Sequence, residues 1–105
     1  MNRFDREQLV VVVEVVLDAA LEHAADNHGD HGAINGSIAT AGLMLSTMHH
    51  RLTGDGTGAL EATGFDHLVW NYMRAPGDNV PLPSCRPVAE RFVDAAFANY
   101  LKGTE

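Results

Sequence analysis

The longest patterned stretch of the chain runs from Leu9 to Ala25, where almost every residue is apolar. Acidic residues interrupt it at every fourth position, a period that places them along one side of an α-helix. Just before it, Asp5 and Gln8 have the spacing of a capping box, which marks a helix start. The pattern therefore predicts a first helix over about residues 5–26, with an acid stripe made of Glu14, Asp18, Glu22 and Asp26.

A run of four valines within this stretch supports a different interpretation, because β-branched residues favour extended backbone. A strand over 9–16 would change the predicted fold from all-α to α+β. The helix remains the preferred prediction, since the acid spacing continues for three turns beyond the valines.

Three further segments have helical patterns, separated by breaks rich in glycine and proline. After a turn over 27–32, a segment rich in small residues predicts a second helix over 35–52. Apolar residues spaced three and four apart predict a third helix over 65–73, and a proline-rich connector over 74–87 leads into a last helix that ends at Lys102. The prediction is a single all-α domain over 1–105, a compact bundle of about four helices with helix 1 at its centre.

Composition constrains where the protein acts and what it binds. The chain has 105 residues, one cysteine and a formal net charge of −7. A lone cysteine cannot form an intramolecular disulfide, so we expect a cytoplasmic protein. The acids within the first apolar stretch argue against a membrane span and a signal peptide, and the negative charge argues against direct contact with nucleic acid.

The histidines offer one candidate metal site, in the turn after the first predicted helix. Asp30 lies within a His-x-x-His pair there, and a third histidine precedes the pair by about one helical turn. Zinc or iron needs three or four such ligands converging on one point, and no motif in the sequence specifies that geometry. We therefore expect no metal or other cofactor, and the alternative site would use His23, His28, Asp30 and His31.

Catalytic motifs are absent from the sequence as well. It contains no nucleophile elbow, Walker loop or dinucleotide-binding glycine pattern. Cys85 and Arg91 have the spacing of a phosphatase loop, but Pro87 removes a backbone donor and Glu90 adds a charge that repels phosphate. The sequence thus predicts a protein that is not an enzyme.

The acid stripe is the feature that points to a function. Like charges four residues apart destabilise a helix by about 0.2–0.5 kcal/mol per pair, and no lysine relieves them here. A solvated face that keeps the protein soluble is one explanation. The other is a protein-binding module that docks the stripe on a basic partner, with Trp70 as a candidate anchor. Inhibitors of nucleic-acid-handling machinery, such as anti-CRISPR, anti-restriction and immunity proteins, have this acidic character because their carboxylates imitate a phosphate track.

A homo-oligomeric structural protein is the remaining alternative. Helix 1 is apolar around most of its circumference, so part of it would face a second copy in a homodimer.

Overall fold

The computed structural model describes residues 3–55, 63–74 and 80–103. These residues contain no strand, so the predicted all-α fold is confirmed and the alternative strand over 9–16 is wrong. None of the described helices is long and apolar enough to cross a membrane. The helices are α1 (Arg6–Asp26), α2 (His31–Thr53), α3 (Phe65–Met73), α4 (Arg86–Ala96) and α5 (Ala98–Lys102).

The first helix begins as its capping signal predicts. The Asp5 carboxylate accepts a hydrogen bond from the Gln8 amide at 2.8 Å, and the Gln8 side chain accepts one from the Asp5 amide at 2.9 Å. These two bonds satisfy backbone donors that the first turn would otherwise leave unpaired. After Asp26 the chain turns through Gly29, whose φ of +94° favours a residue without a side chain.

The second helix begins at His31, four residues before its predicted start at residue 35. Asp30 explains the difference, because its carboxylate accepts a hydrogen bond from the Ala33 amide at 3.0 Å and so caps the helix. Gly32 therefore lies inside α2 together with Gly36 and Gly42. The helix ends at Gly54, where a φ of +83° again favours glycine.

Helix α1 lies at the centre of the fold, where it contacts α2, α3 and α4. One stripe of α1 is buried, and burial of each large apolar side chain contributes about 1.5–3 kcal/mol to folding. Three aromatic side chains from α3, α4 and the end of α4 complete the core. The buried residues of α1 are Leu9, Val10, Val13, Leu17, Leu21 and Ala24, and the aromatic residues are Phe65, Phe92 and Phe97.

The predicted last helix is divided into α4 and α5 at Phe97. Phe97 is fully buried, and its ring meets those of Phe92 and Tyr100 edge to face. The change of direction brings Tyr100 to the start of the chain, where its hydroxyl accepts a hydrogen bond from the Phe4 amide at 3.0 Å. Residues 80–85 of the predicted connector have no regular structure, and residues 75–79 lie outside the described part of the chain.

Arginine side chains join the first turn of α1 to α4. Arg6 donates to both carboxylate oxygens of Asp94, at 2.7 and 3.0 Å, and Arg86 donates to both carboxylate oxygens of Glu7, at 2.9 and 2.6 Å. The hydrogen bond from Arg6 lowers the pKa of Asp94. Because these pairs are largely exposed, water screens their attraction, and they orient the two helices more than they stabilise them.

A buried histidine connects the end of α2 to the end of α4. The Nδ1 atom of His49 lies 2.8 Å from the Asp55 carbonyl oxygen, and its Nε2 atom lies 2.7 Å from the Ala96 carbonyl oxygen. Its ring also meets Phe97 edge to face, with centroids 5.0 Å apart. The ring nitrogens of His49 therefore link backbone carbonyl groups at two helix ends, a structural role that the sequence did not reveal.

Replacement of His49 by phenylalanine should lower the free energy of unfolding by about 2 kcal/mol, because phenylalanine keeps a ring at this place but cannot donate a hydrogen bond to either carbonyl group. Urea denaturation measures the change. His50→Phe is the matched control, since the neighbouring His50 is exposed. Equal denaturation midpoints for the two variants would contradict the role assigned to His49.

Candidate functional site

The structure divides the acid stripe into an inner and an outer pair. Glu14 and Asp18 are half-buried beside the segment that leads into α4: Glu14 lies 3.8 Å from the Arg86 guanidinium, and Asp18 is hydrogen-bonded to the thiol of Cys85. Glu22 and Asp26 are exposed. Only this outer pair is open to a partner, because the inner pair already has partners within the chain.

Cys85 is buried at the N-terminal end of α4. Burial raises the pKa of its thiol to about 12, helped by the hydrogen bond with Asp18 and by the negative charges of Asp18 and Glu14. The thiol is therefore protonated at neutral pH and is a poor nucleophile. Arg91 is engaged elsewhere, since its guanidinium donates to the Thr63 carbonyl oxygen at 2.8 and 3.2 Å. The phosphatase-like spacing of Cys85 and Arg91 thus assembles no phosphate site.

The histidines of the candidate metal site have separate partners. The Nδ1 atom of His23 lies 2.5 Å from the Ser37 hydroxyl, and the Nε2 atom of His28 donates to the Met73 carbonyl oxygen at 3.0 Å. The ring of His31 meets Trp70 edge to face, while Asp30 caps α2. Within the described residues, no three His, Cys, Asp or Glu side chains lie close enough to hold a metal ion. The zinc or iron alternative therefore finds no set of ligands in this part of the chain.

Trp70 is half-buried rather than fully exposed. It packs against the hydrophobic core, and its ring centroid lies 5.3 Å from that of His31. Only part of the indole is open to solvent, so a partner would contact one side of the ring. Its role as an anchor stays a prediction.

A continuous apolar surface lies on the outer side of the α1–α2 hairpin, away from the contacts with α3 and α4. Its most exposed side chains are Leu43 at 68 %, Val15 at 62 % and Met44 at 53 % of their full exposure. Two adjoining cavities of about 670 and 440 Å³ open on it, and Met44 lines both. We call this surface the hairpin face and define it by Val12, Val15 and Ala19 of α1 and by Ala33, Gly36, Thr40, Leu43, Met44 and Thr47 of α2.

The spacing within the hairpin face is that of a coiled-coil seam. On α1 the residues recur at intervals of three and four, and Glu22 and Asp26 continue the same row. On α2 the row from Ala33 through Gly36, Thr40 and Leu43 to Thr47 follows the same rule. Such spacing places a row of side chains along one side of a helix, where a second helix can pack against it. Sequence reasoning noticed that α1 is apolar on most sides but could not tell which side its neighbours would leave open.

No protein-family model, curated protein or solved structure matches this chain. Its function has to be inferred from the chemistry and geometry of its own residues.

The raised pKa of Cys85 makes the stability of the protein depend on pH in the alkaline range. The unfolded thiol ionises near 9.0 and the buried thiol near 12, so the unfolded state releases its proton first and is favoured between these values. The stabilisation is complete below about pH 9 and is lost as pH rises toward 12.

Replacement of Cys85 by alanine should remove this part of the pH dependence. Urea midpoints of the native protein should fall more steeply between pH 9 and pH 11 than those of Cys85→Ala, although the variant starts from lower stability because it loses a buried side chain. Parallel curves for the two proteins would show that the buried thiol does not control the alkaline loss.

Proposed function

We propose that this chain is a protein-binding module without catalytic chemistry of its own, and that the hairpin face is its binding surface. The observation that carries the proposal is the exposure of Leu43, Val15 and Met44 in one continuous apolar surface. Single exposed apolar residues are ordinary, whereas a contiguous apolar surface on a soluble domain marks a site of association. Covering apolar surface releases about 25 cal/mol for each Å² removed from water, so this face gains free energy from any well-fitted partner.

The charges beside the hairpin face favour a partner with a positive surface. Glu22 and Asp26 continue the row of Val15 and Ala19 along α1, so they border the apolar surface at its end near the α1–α2 turn. Of the four acids in the stripe, Glu14 and Asp18 already have partners within the chain, so only Glu22 and Asp26 are proposed to contact a binding partner. An inhibitor of nucleic-acid-handling machinery remains one form of the proposal, since the basic surfaces of such proteins would complement these carboxylates.

A photo-crosslinking amino acid placed at Leu43 should capture a protein in the cells that make this chain. Asn71 of α3 provides the control, because it is also exposed and lines a separate cleft outside the hairpin face. We expect a crosslinked protein from position 43 and none from position 71, as read from the shift in mass on a denaturing gel and from peptide sequencing. Failure of position 43 to crosslink any protein, this chain included, would refute the proposed binding surface.

A further inference from the structure

The hairpin face differs between its two ends. Toward the start of α1 and the end of α2, large side chains surround the cavity of about 670 Å³, among them Val12, Leu43, Met44 and Met48. Toward the turn between the helices, small residues line the cavity of about 440 Å³. A side chain added at Gly36 would meet no atom within 4 Å, so this end has open space above α2. One end of the face is therefore lined by large side chains and the other by small ones.

We propose that a second copy of this chain covers the hairpin face, turned end for end, so that two α1–α2 hairpins form a four-helix bundle. This inference rests on the proposed function and names its partner. A two-fold axis lying in the interface and crossing the helices sets the end with large side chains of each copy on the end with small side chains of the other. Met48 and Leu52 then lie over Gly36 and Ala33 of the other copy, and these contacts occur twice, once for each copy.

The charges at the two ends of the face favour the same orientation. Arg51 is exposed at the end with large side chains, whereas Glu22 and Asp26 are exposed at the end with small ones. The end-for-end arrangement brings each Arg51 toward the acidic end of the other copy. A parallel arrangement would instead bring the two acidic ends together, and like charges facing each other disfavour association. Arg51 is thus a cation on the chain itself that the acidic end can meet.

The area of the hairpin face is sufficient for a dimer. The residues that line the two cavities extend about 20 Å along α1, from Leu9 to His23, and about 30 Å along α2, from Ala33 to Leu52. With a width of about 20 Å for two packed helices, the face offers about 500 Å² for each copy. The pair would bury about 1,000 Å², which is about the smallest area expected of a specific interface. The packing in such a dimer matches that of four-helix bundles, in which rows spaced three and four apart interdigitate across the centre.

Sedimentation of the purified protein over a range of concentrations tests the dimer. We expect a mass twice the 11.3 kDa of the chain at high concentration. Leu43→Lys should raise the dissociation constant about a hundredfold or more, because each dimer loses two covered leucines and gains two facing ammonium groups. Asn71→Lys adds the same charge on α3, where Asn71 is exposed in a separate cleft with Leu68 and Arg91, and it should leave the dissociation constant unchanged.

Engineered disulfides test the orientation. Leu43 lies near the middle of the face, so Leu43→Cys should crosslink with its own copy, whereas Arg51→Cys alone should not. A mixture of Arg51→Cys with Ala33→Cys should crosslink, since the end-for-end arrangement brings these two positions together. Cys85 is buried and does not compete. A dimer in which Arg51→Cys crosslinks with itself would overturn the arrangement.

The charges provide a further check. Asp26→Lys should weaken the dimer, and adding Arg51→Asp in the same chain should restore it, because the exchanged charges again meet across the interface. A monomer at all concentrations would refute the second copy as partner. Photo-crosslinking from position 43 would then separate the two failures: capture of a different protein would leave the proposed function standing, and capture of none would refute both.

Discussion

The burial of one stripe of α1 against α2, α3 and α4 is the interaction on which the rest of this fold depends. Leu17 and Val13 are completely enclosed, and every other described element except α5 has extensive contact with this helix. A helix apolar on most sides needs neighbours on most sides. Only part of that requirement is met within one chain, because α2 covers one flank, α3 and α4 cover another, and Val15 still faces solvent. The hairpin face therefore includes the side of α1 that no other described helix covers.

The sequence predicted the helices well where local chemistry decides their limits. Asp5 and Gln8 determine the start of α1, and their reciprocal hydrogen bonds were readable from spacing alone. The start of α2 was misplaced because Asp30, which caps this helix, lies inside the turn predicted over 27–32. That cap and the packing of α2 against α1 outweigh the small cost of glycine within a helix. The break at Phe97 depends on the packing of three aromatic rings, which no local pattern records.

The candidate site was harder to predict, since it depends on which surfaces remain open after folding. Regular spacing identified the acid stripe correctly as one side of a helix, but only the folded chain shows that Asp18 hydrogen-bonds to Cys85 while Asp26 stays exposed. The histidines are close in sequence, yet His23 and His28 contact different elements. The spacing of residues in the sequence identifies which side chains share one side of a helix. Which face is left without a neighbour follows from tertiary packing.

Arg3 and Phe4 at one end of the described chain are hydrogen-bonded to Tyr100 near the other end, and we call this contact the clasp. Arg3 donates to the carbonyl oxygen of Tyr100 across 97 residues of sequence, whereas α1 and α2 meet through a short turn. Closing a loop of that length from an unfolded chain costs about 4 kcal/mol in entropy, so we expect the hairpin to form before the clasp. Contacts made last and exposed to water are also the first to open. The Phe4 amide donates to the Tyr100 hydroxyl, and the Phe4 side chain lines the larger cavity of the hairpin face. Local opening of the clasp would therefore loosen one end of the hairpin face while the core stays folded.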